Sequence, residues 1–255
     1  MIFTDTHTHI YISELRENIS ALMHRAHEQR VKRFFLPNID LESIDDVFSL
    51  TEMYKDECFP MMGLHPCSVK DDYLDVLSQI KNHIDKPDIV AIGEIGIDLY
   101  WDKSTLEIQK EAFRIQIQWA KERKLPIVIH CRDAFQKIYD ILKEEKDENL
   151  RGVFHCFTGS AEQAKLITEL GFYLGIGGVL TYKNAGLPEV IKQVDMKHIV
   201  LETDSPYLTP VPHRGKPNES SYLIYVAEKL AEIKEISLKE IADITTENSR
   251  LLFGK

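Results

Sequence analysis

Short apolar runs alternate with longer charged stretches along the whole chain. After the opening "MIFTDTHTHI", residues Leu15, Ile19, Leu22, Met23 and Ala26 recur at helical spacing, and "VKRFFLPNI" follows as a β-rich run. The alternation continues through "CFPMMGLH", "DIVAIGEIGI", "LPIVIH", "GVFHCF", "FYLGIGG" and "HIVLETD", with amphipathic sequence suited to helices between most of them. The pattern predicts eight strands.

Strands that alternate with helices imply right-handed βαβ units and a parallel sheet. Eight such units in 255 residues fit an α/β fold of the (β/α)8 TIM-barrel type, with a doubly wound open sheet as the alternative. No linker, low-complexity tract or fixed-period repeat divides the chain, and "SPYLTPVPHRGKPNES" reads as one long loop after the eighth strand. Residues 1–255 are expected to form a single domain.

Composition narrows the class. Hydrophobic residues make up 44% and charged residues 28%, which points to a globular chain and away from disordered or membrane classes. Cys58, Cys67, Cys131 and Cys156 show no C-x-x-C spacing, and nothing at the N-terminus resembles a secretory signal, so a reduced, cytoplasmic protein is expected. The formal charge of −10 repels a polyanion as a whole, so a nucleic-acid partner would have to be held by local contacts. No membrane association and no obligate protein partner are inferred.

The candidate chemistry lies at strand ends. "DTHTH" places His7 and His9 on one face of an extended strand, because side chains alternate with period two. His65 in "GLHP", Glu94 in "GEIG", His130 in "IVIHCR", His155 in "FHCFTG", and Glu202 and Asp204 in "LETDSP" each follow an apolar run. C-terminal strand ends converge on the mouth of a barrel, where enzymes of this fold keep their active sites. Ionisable groups gathered there are costly unless paired or bound to metal.

Four imidazoles (His7, His9, His130, His155) and two carboxylates (Glu94, Asp204) exceed the three protein ligands and one water of a mononuclear catalytic site. Two divalent ions are therefore expected, bridged by Glu94. Imidazoles favour Zn, Mn or Co, whereas a site that retains waters suits Mg.

The motifs D-x-H-x-H, G-L-H-P, G-E-I-G-x-D, I-H-x-R, H-C-F-T-G, E-T-D-S-P and P-H-R-G-K-x-N-E, in this order, resemble the TatD family of metal-dependent deoxyribonucleases among the amidohydrolase-like barrels. The resemblance spans residues 4 to about 219. It implies hydrolysis of phosphodiester bonds in DNA; metal-activated water is the expected nucleophile, and the charge of −10 with a site at a barrel mouth favours ends or single strands. The resemblance also implies one ion held by His7, His9, Glu94 and Asp204, a second held by Glu94, His130 and His155, and a functional role for His65. The chain departs from the family's N-E-P at Asn218, Glu219 and Ser220, and Ser220 or Ser221 is expected to cap the helix through "YLIYVAEKLAEI".

Several neighbours complete the expected site. Arg132, two residues past His130, suits a bidentate phosphate clamp, and Arg214 with Lys216 is the local basic cluster. Arg132, Arg214 and His65 are the expected substrate contacts; Glu94, Asp204, His65 and Glu202 are the expected catalytic group. Glu202 either orients a ligand or touches substrate. Thr158, Gly159 and Ser160 open a helix that either receives an anion or is capped by Ser160 with Gln163. Tyr100 and Trp101 either stack a nucleobase or cover the barrel end. Cys131 and Cys156 are expected to turn outward as core residues. Two rival readings are a binuclear amidohydrolase acting on a C–N bond or lactone, and a non-catalytic metal- or nucleic-acid-binding module.

Overall fold

Eight parallel strands pair in sequence order, β1 to β8, in the computed structural model, which describes residues 1–255 apart from the side chain of Glu14. The strands are β1 (Phe3–Asp5), β2 (Val31–Pro37), β3 (Cys58–Met62), β4 (Ala91–Asp98), β5 (Ile127–Arg132), β6 (Gly152–Phe154), β7 (Tyr173–Ile176) and β8 (Ile199–Leu201). Between and after them run α1 (Ser13–Arg16), α2 (Ile19–Glu28), α3 (Ser43–Met53), α4 (Tyr73–Ile84), α5 (Leu106–Arg123), α6 (Phe135–Glu145), α7 (Ala161–Glu169), α8 (Leu187–Lys192), α9 (Leu223–Lys234) and α10 (Leu238–Phe253). The last strand meets the first where Thr6 N–H and Oγ1 both donate to Leu201 O, at 3.0 and 2.9 Å, which nearly closes the barrel. The TIM-barrel expectation is met.

Side-chain period explains how the barrel carries a polar site. Phe35, Met61, Ala91, Val128, Val153 and Val200 form one apolar cluster with Leu252 and Phe253 of α10, separate from the larger cluster that packs strands against helices. Two residues further along, on the same strand face, come His130, His155 and Glu202. The lumen thus has an apolar lower layer, which needs no partners, under a layer of ionisable groups.

Local differences from the sequence pattern have local causes. The helix expected across Leu15–Ala26 is two helices, because Asn18 leaves helical geometry (φ −115°, ψ 18°) and its carbonyl accepts the first N–H groups of α2, from Ala21 and Leu22. Neither Ser220 nor Ser221 caps α9. They lie in a 3-10 turn, Ser220–Tyr222, and Tyr222 takes the N-cap position of α9, since Ser221 Oγ donates to the Glu219 carboxylate instead. Ser160 does cap α7: its Oγ accepts from Gln163 N–H, and Gln163 Oε1 accepts from Ser160 N–H. Among the described residues, no helix is long and apolar enough to cross a membrane.

Candidate metal centre

Past the end of β1 the chain carries His7 and His9 and then Tyr11, in the turn that follows, and all three are buried. Tyr11 donates its proton to Pro37 O at 2.6 Å, so its oxygen accepts from His9 Nδ1 at 2.8 Å. That choice leaves the His9 Nε2 lone pair facing inward. His7 Nε2 lies 3.2 Å from it, Glu94 Oε2 lies 3.2 and 3.6 Å from the two nitrogens, and Asp204 Oδ1 lies 3.7 and 3.5 Å from them. A tetrahedral shell with ligand bonds of ~2.0–2.1 Å has edges of roughly 3.3–3.4 Å. The edges joining His7, His9 and Glu94 fall close to that length, so these three could hold a metal ion, with Asp204 against both imidazoles.

The other oxygen of Glu94 faces a second group. Oε1 is 2.7 Å from His155 Nε2, 2.8 Å from His130 Nδ1 and 3.4 Å from His65 Nε2. The His7 and His155 rings stack 3.9 Å apart, within 9° of parallel, each aimed at a different oxygen of Glu94. One buried carboxylate therefore serves two clusters. Burial would raise the Glu94 pKa, but the imidazoles of His155, His65 and His7 outweigh it and hold the carboxyl well below its usual range.

Asp98 orients His130. It lies four residues past Glu94 on the same face of β4, and its Oδ2 accepts from His130 Nε2 at 2.9 Å, which turns Nδ1 toward Glu94. Burial opposes ionisation of Asp98, yet His130 and the backbone N–H groups of Tyr100 and Trp101 bring its pKa down to about 2. Glu202 is completely covered and sits behind His155. Its Oε1 accepts from Cys156 N–H at 2.5 Å and lies 3.6 Å from His155 Nδ1, a charge contact. Gly175 makes room for it, since a Cβ there would come 2.2 Å from Glu202 Oε2. Burial would lower the His155 pKa, but Glu94 and Glu202 raise it well above the usual value.

His65 differs from the other imidazoles. Its Nδ1 accepts the Cys67 N–H at 3.1 Å, so the ring's proton resides on Nε2. Ligation through Nε2 would leave the ring with no proton, which separates His65 from the metal-holding set despite its proximity to Glu94 and His130. Burial pushes its pKa down against the pull of Glu94, which keeps the ring neutral and Nε2–H a donor.

The structure brings together every ligand expected from the sequence, with His65 and Glu202 against them. Arg132 and Arg214 stand at the rim, each over an aromatic ring: Arg132 is 3.7 Å from the Tyr100 centroid and Arg214 is 4.0 Å from that of Tyr182. Cys131 and Cys156 both line a cavity of about 390 Å³ beside His155. Cys131 also packs partly against the outer cluster, as alternation predicts. Burial raises the Cys131 thiol to about 12 and the Cys156 thiol well above its usual value, so neither supplies a thiolate.

Sequence reasoning passed over three residues that hold the site. Asp98 is the last letter of the quoted G-E-I-G-x-D and an i+4 continuation of Glu94 on β4, whereas Tyr11 lies in a turn two residues past His9. Asp5 stands in the quoted D-x-H-x-H, but its role rests on a partner distant in sequence: it accepts from Thr203 N–H at 2.9 Å and Thr203 Oγ1 at 2.6 Å, tying β1 to the segment that bears Asp204.

A parallel barrel whose mouth gathers four imidazoles around a shared carboxylate is the construction of a metal-dependent hydrolase. Comparison with known proteins agrees. The family described as "TatD related DNase" matches residues 4–254. The metal-dependent hydrolase YabD of Bacillus subtilis is 45% identical over 254 residues, covering 99% of each chain, and YcfH of Escherichia coli is 40% identical over 192 residues, covering 75% of this chain and 72% of that one. The crystal structure of YjjV, a TatD homolog from Escherichia coli, superposes with a TM-score of 0.92 at 30% identity and covers 99% of this chain and 98% of that one. The chain belongs to the TatD family of metal-dependent hydrolases.

Proposed function

We propose that the protein hydrolyses phosphodiester bonds in DNA, at strand ends or in single strands, with two divalent ions at the barrel mouth. The observation that carries this reading is the division of Glu94 between two clusters, Oε2 toward His7, His9 and Asp204, and Oε1 toward His130 and His155. The family's description as a DNase supports the same reaction. Bound there, the ions would bring the pKa of water toward neutrality and offset charge on the phosphoryl oxygens.

The chain's own residues supply the rest. His7, His9, Glu94 and Asp204 would hold one ion, and Glu94, His130 and His155 the other. His65 donates its Nε2–H to a phosphoryl or leaving oxygen. Asp204, held ionised by His9, His155 and His7 against the effect of burial, accepts a proton from water. Arg132 offers its guanidinium to the phosphate next to the scissile one, and Glu202 keeps His155 in place. Arg214 is a further phosphate contact from the long loop.

The deciding experiment supplies purified protein loaded with Mg, Mn or Zn with end-labelled single- and double-stranded DNA, and in parallel with amide and lactone substrates. Metal-dependent release of nucleotides is expected. Turnover of carbonyl substrates alone would make the protein an amidohydrolase, and binding without turnover of anything would make it a non-catalytic module. Glu94→Gln is expected to lower occupancy of both ions and His155→Ala mainly one; a wild-type stoichiometry that stays at one under saturating metal would sink the two-ion reading.

A further inference from the structure

We infer that Trp101, with Tyr100 and Arg132, forms a stacking subsite for an unpaired nucleobase beside the metal centre, an inference that rests on the nuclease reading above. Trp101 is 71% exposed and Tyr100 54%, so this pair covers no barrel core. The two rings meet edge to face, with centroids 4.9 Å apart. The Arg132 guanidinium lies 3.7 Å from the Tyr100 centroid and 5.6 Å from that of Trp101. The guanidinium thus lies against both rings, while the exposure of Trp101 leaves the rest of its indole open for stacking and the Arg132 N–H groups can reach a phosphate.

The lip is fastened to the catalytic machinery. Asp98 Oδ1 accepts from Tyr100 N–H at 2.9 Å and from Trp101 N–H at 3.4 Å, while Oδ2 of the same carboxylate accepts from His130 Nε2. One carboxylate therefore sets both a metal-holding imidazole and the aromatic turn, so a base on Trp101 would sit at a defined offset from the scissile bond. Charge points to the same occupant. A chain of net charge −10 gains little from its overall field on a polyanion, and stacking on an aromatic face supplies affinity that does not depend on that field. A base within a duplex is already stacked and paired, so the subsite selects frayed ends and single strands.

The chain has two tryptophans, and Trp119 is buried in α5, so red-edge emission reports Trp101. Metal-loaded protein is titrated with a hydrolysis-resistant phosphorothioate oligothymidylate and with an abasic oligomer of equal length. Quenching by the first and not the second is expected. Trp101→Ala should weaken the base-bearing oligomer roughly tenfold and remove the enzyme's preference for base-bearing over abasic cleavable strands, with Trp101→Phe recovering part. Equal quenching by both oligomers, or an equal loss of kcat/KM on both in Trp101→Ala, overturns the subsite. Emission that shifts with protein concentration alone also overturns it, by showing that a second copy covers the lip. Failure to cleave either strand would instead sink the nuclease reading, while cleavage of both at equal rates sinks the subsite alone.

Discussion

Asp98 shows how much of the site depends on one side chain outside the expected ligand set. It fixes the His130 tautomer, because an ionised carboxylate can only accept. Asp98→Asn should therefore weaken metal binding by about 10–100-fold, the usual cost of losing a carboxylate behind a metal-bound histidine, with an unchanged far-ultraviolet circular dichroism spectrum. Metal titration checks this, and full affinity in the variant would mean that packing alone orients His130. Arg132→Ala tests a different function. It is expected to lower kcat/KM on a phosphodiester by roughly 10–100-fold, the scale of a charge-assisted hydrogen bond, with metal content intact. Arg132→Lys should recover only part, since an ammonium reproduces neither the fork nor the flat contact on Tyr100.

Elements that lie outside the barrel hold the last long loop in place. Arg25 of α2 reaches Glu219 with Nε at 2.9 Å and Nη2 at 2.5 Å, which pins the turn before α9. Burial would raise the Glu219 pKa, but Arg25 and Ser221 lower it below the usual value. A carboxyl whose folded pKa is depressed stabilises the fold above its unfolded pKa of about 4.3. That contribution is lost as pH falls from there through the folded value. The Arg25 side chain is 45% exposed, so solvent screens the pair. Arg25→Ala should cost about 1 kcal/mol at neutral pH. The difference from wild type should shrink below about pH 4, as measured by denaturant unfolding across a pH series. A difference that stays constant to pH 3 would show that Arg25 acts by packing.

At the scale of the whole molecule, the charge balance sets the terms of binding. On the proposed reading, attraction to DNA would be confined to the ions, Arg132 and the Arg214 loop. Single-strand binding loses about 0.7 in log K per phosphate contacted for each tenfold rise in salt. Two or three contacts predict a slope of roughly −1.4 to −2.1. A slope equivalent to six or more phosphates would reveal an extended basic track. Metal should also couple to the stability of the whole barrel, because the proposed ligands come from β4, β5 and the segments after β1, β6 and β8. Chelation is expected to lower Tm and metal to restore it in a concentration-dependent way, since a ligand that binds only the folded state stabilises it by mass action. A Tm indifferent to metal would contradict a cage assembled from distant strands.

The sequence by itself determined the barrel and which ionisable side chains gather at its mouth. Both are periodic properties: apolar runs mark the strands, and a polar residue two positions beyond an apolar lumen residue, as in Val128–His130 and Val153–His155, marks the mouth. Tertiary structure decided what periodicity does not encode. Which oxygen of Glu94 meets which imidazole depends on the angle at which β4 faces β1 and β5. The exclusion of His65 from the metal-holding set depends on a backbone N–H two residues on, and the place of Glu202 behind His155 depends on the space left at Gly175 of β7. The exposure of Trp101 was equally undetermined, since an aromatic after a strand covers a barrel end or faces solvent according to what packs above it. Strand pattern is a one-dimensional signal set by burial, whereas tautomers, shared carboxylates and open rings are set by neighbours far along the chain.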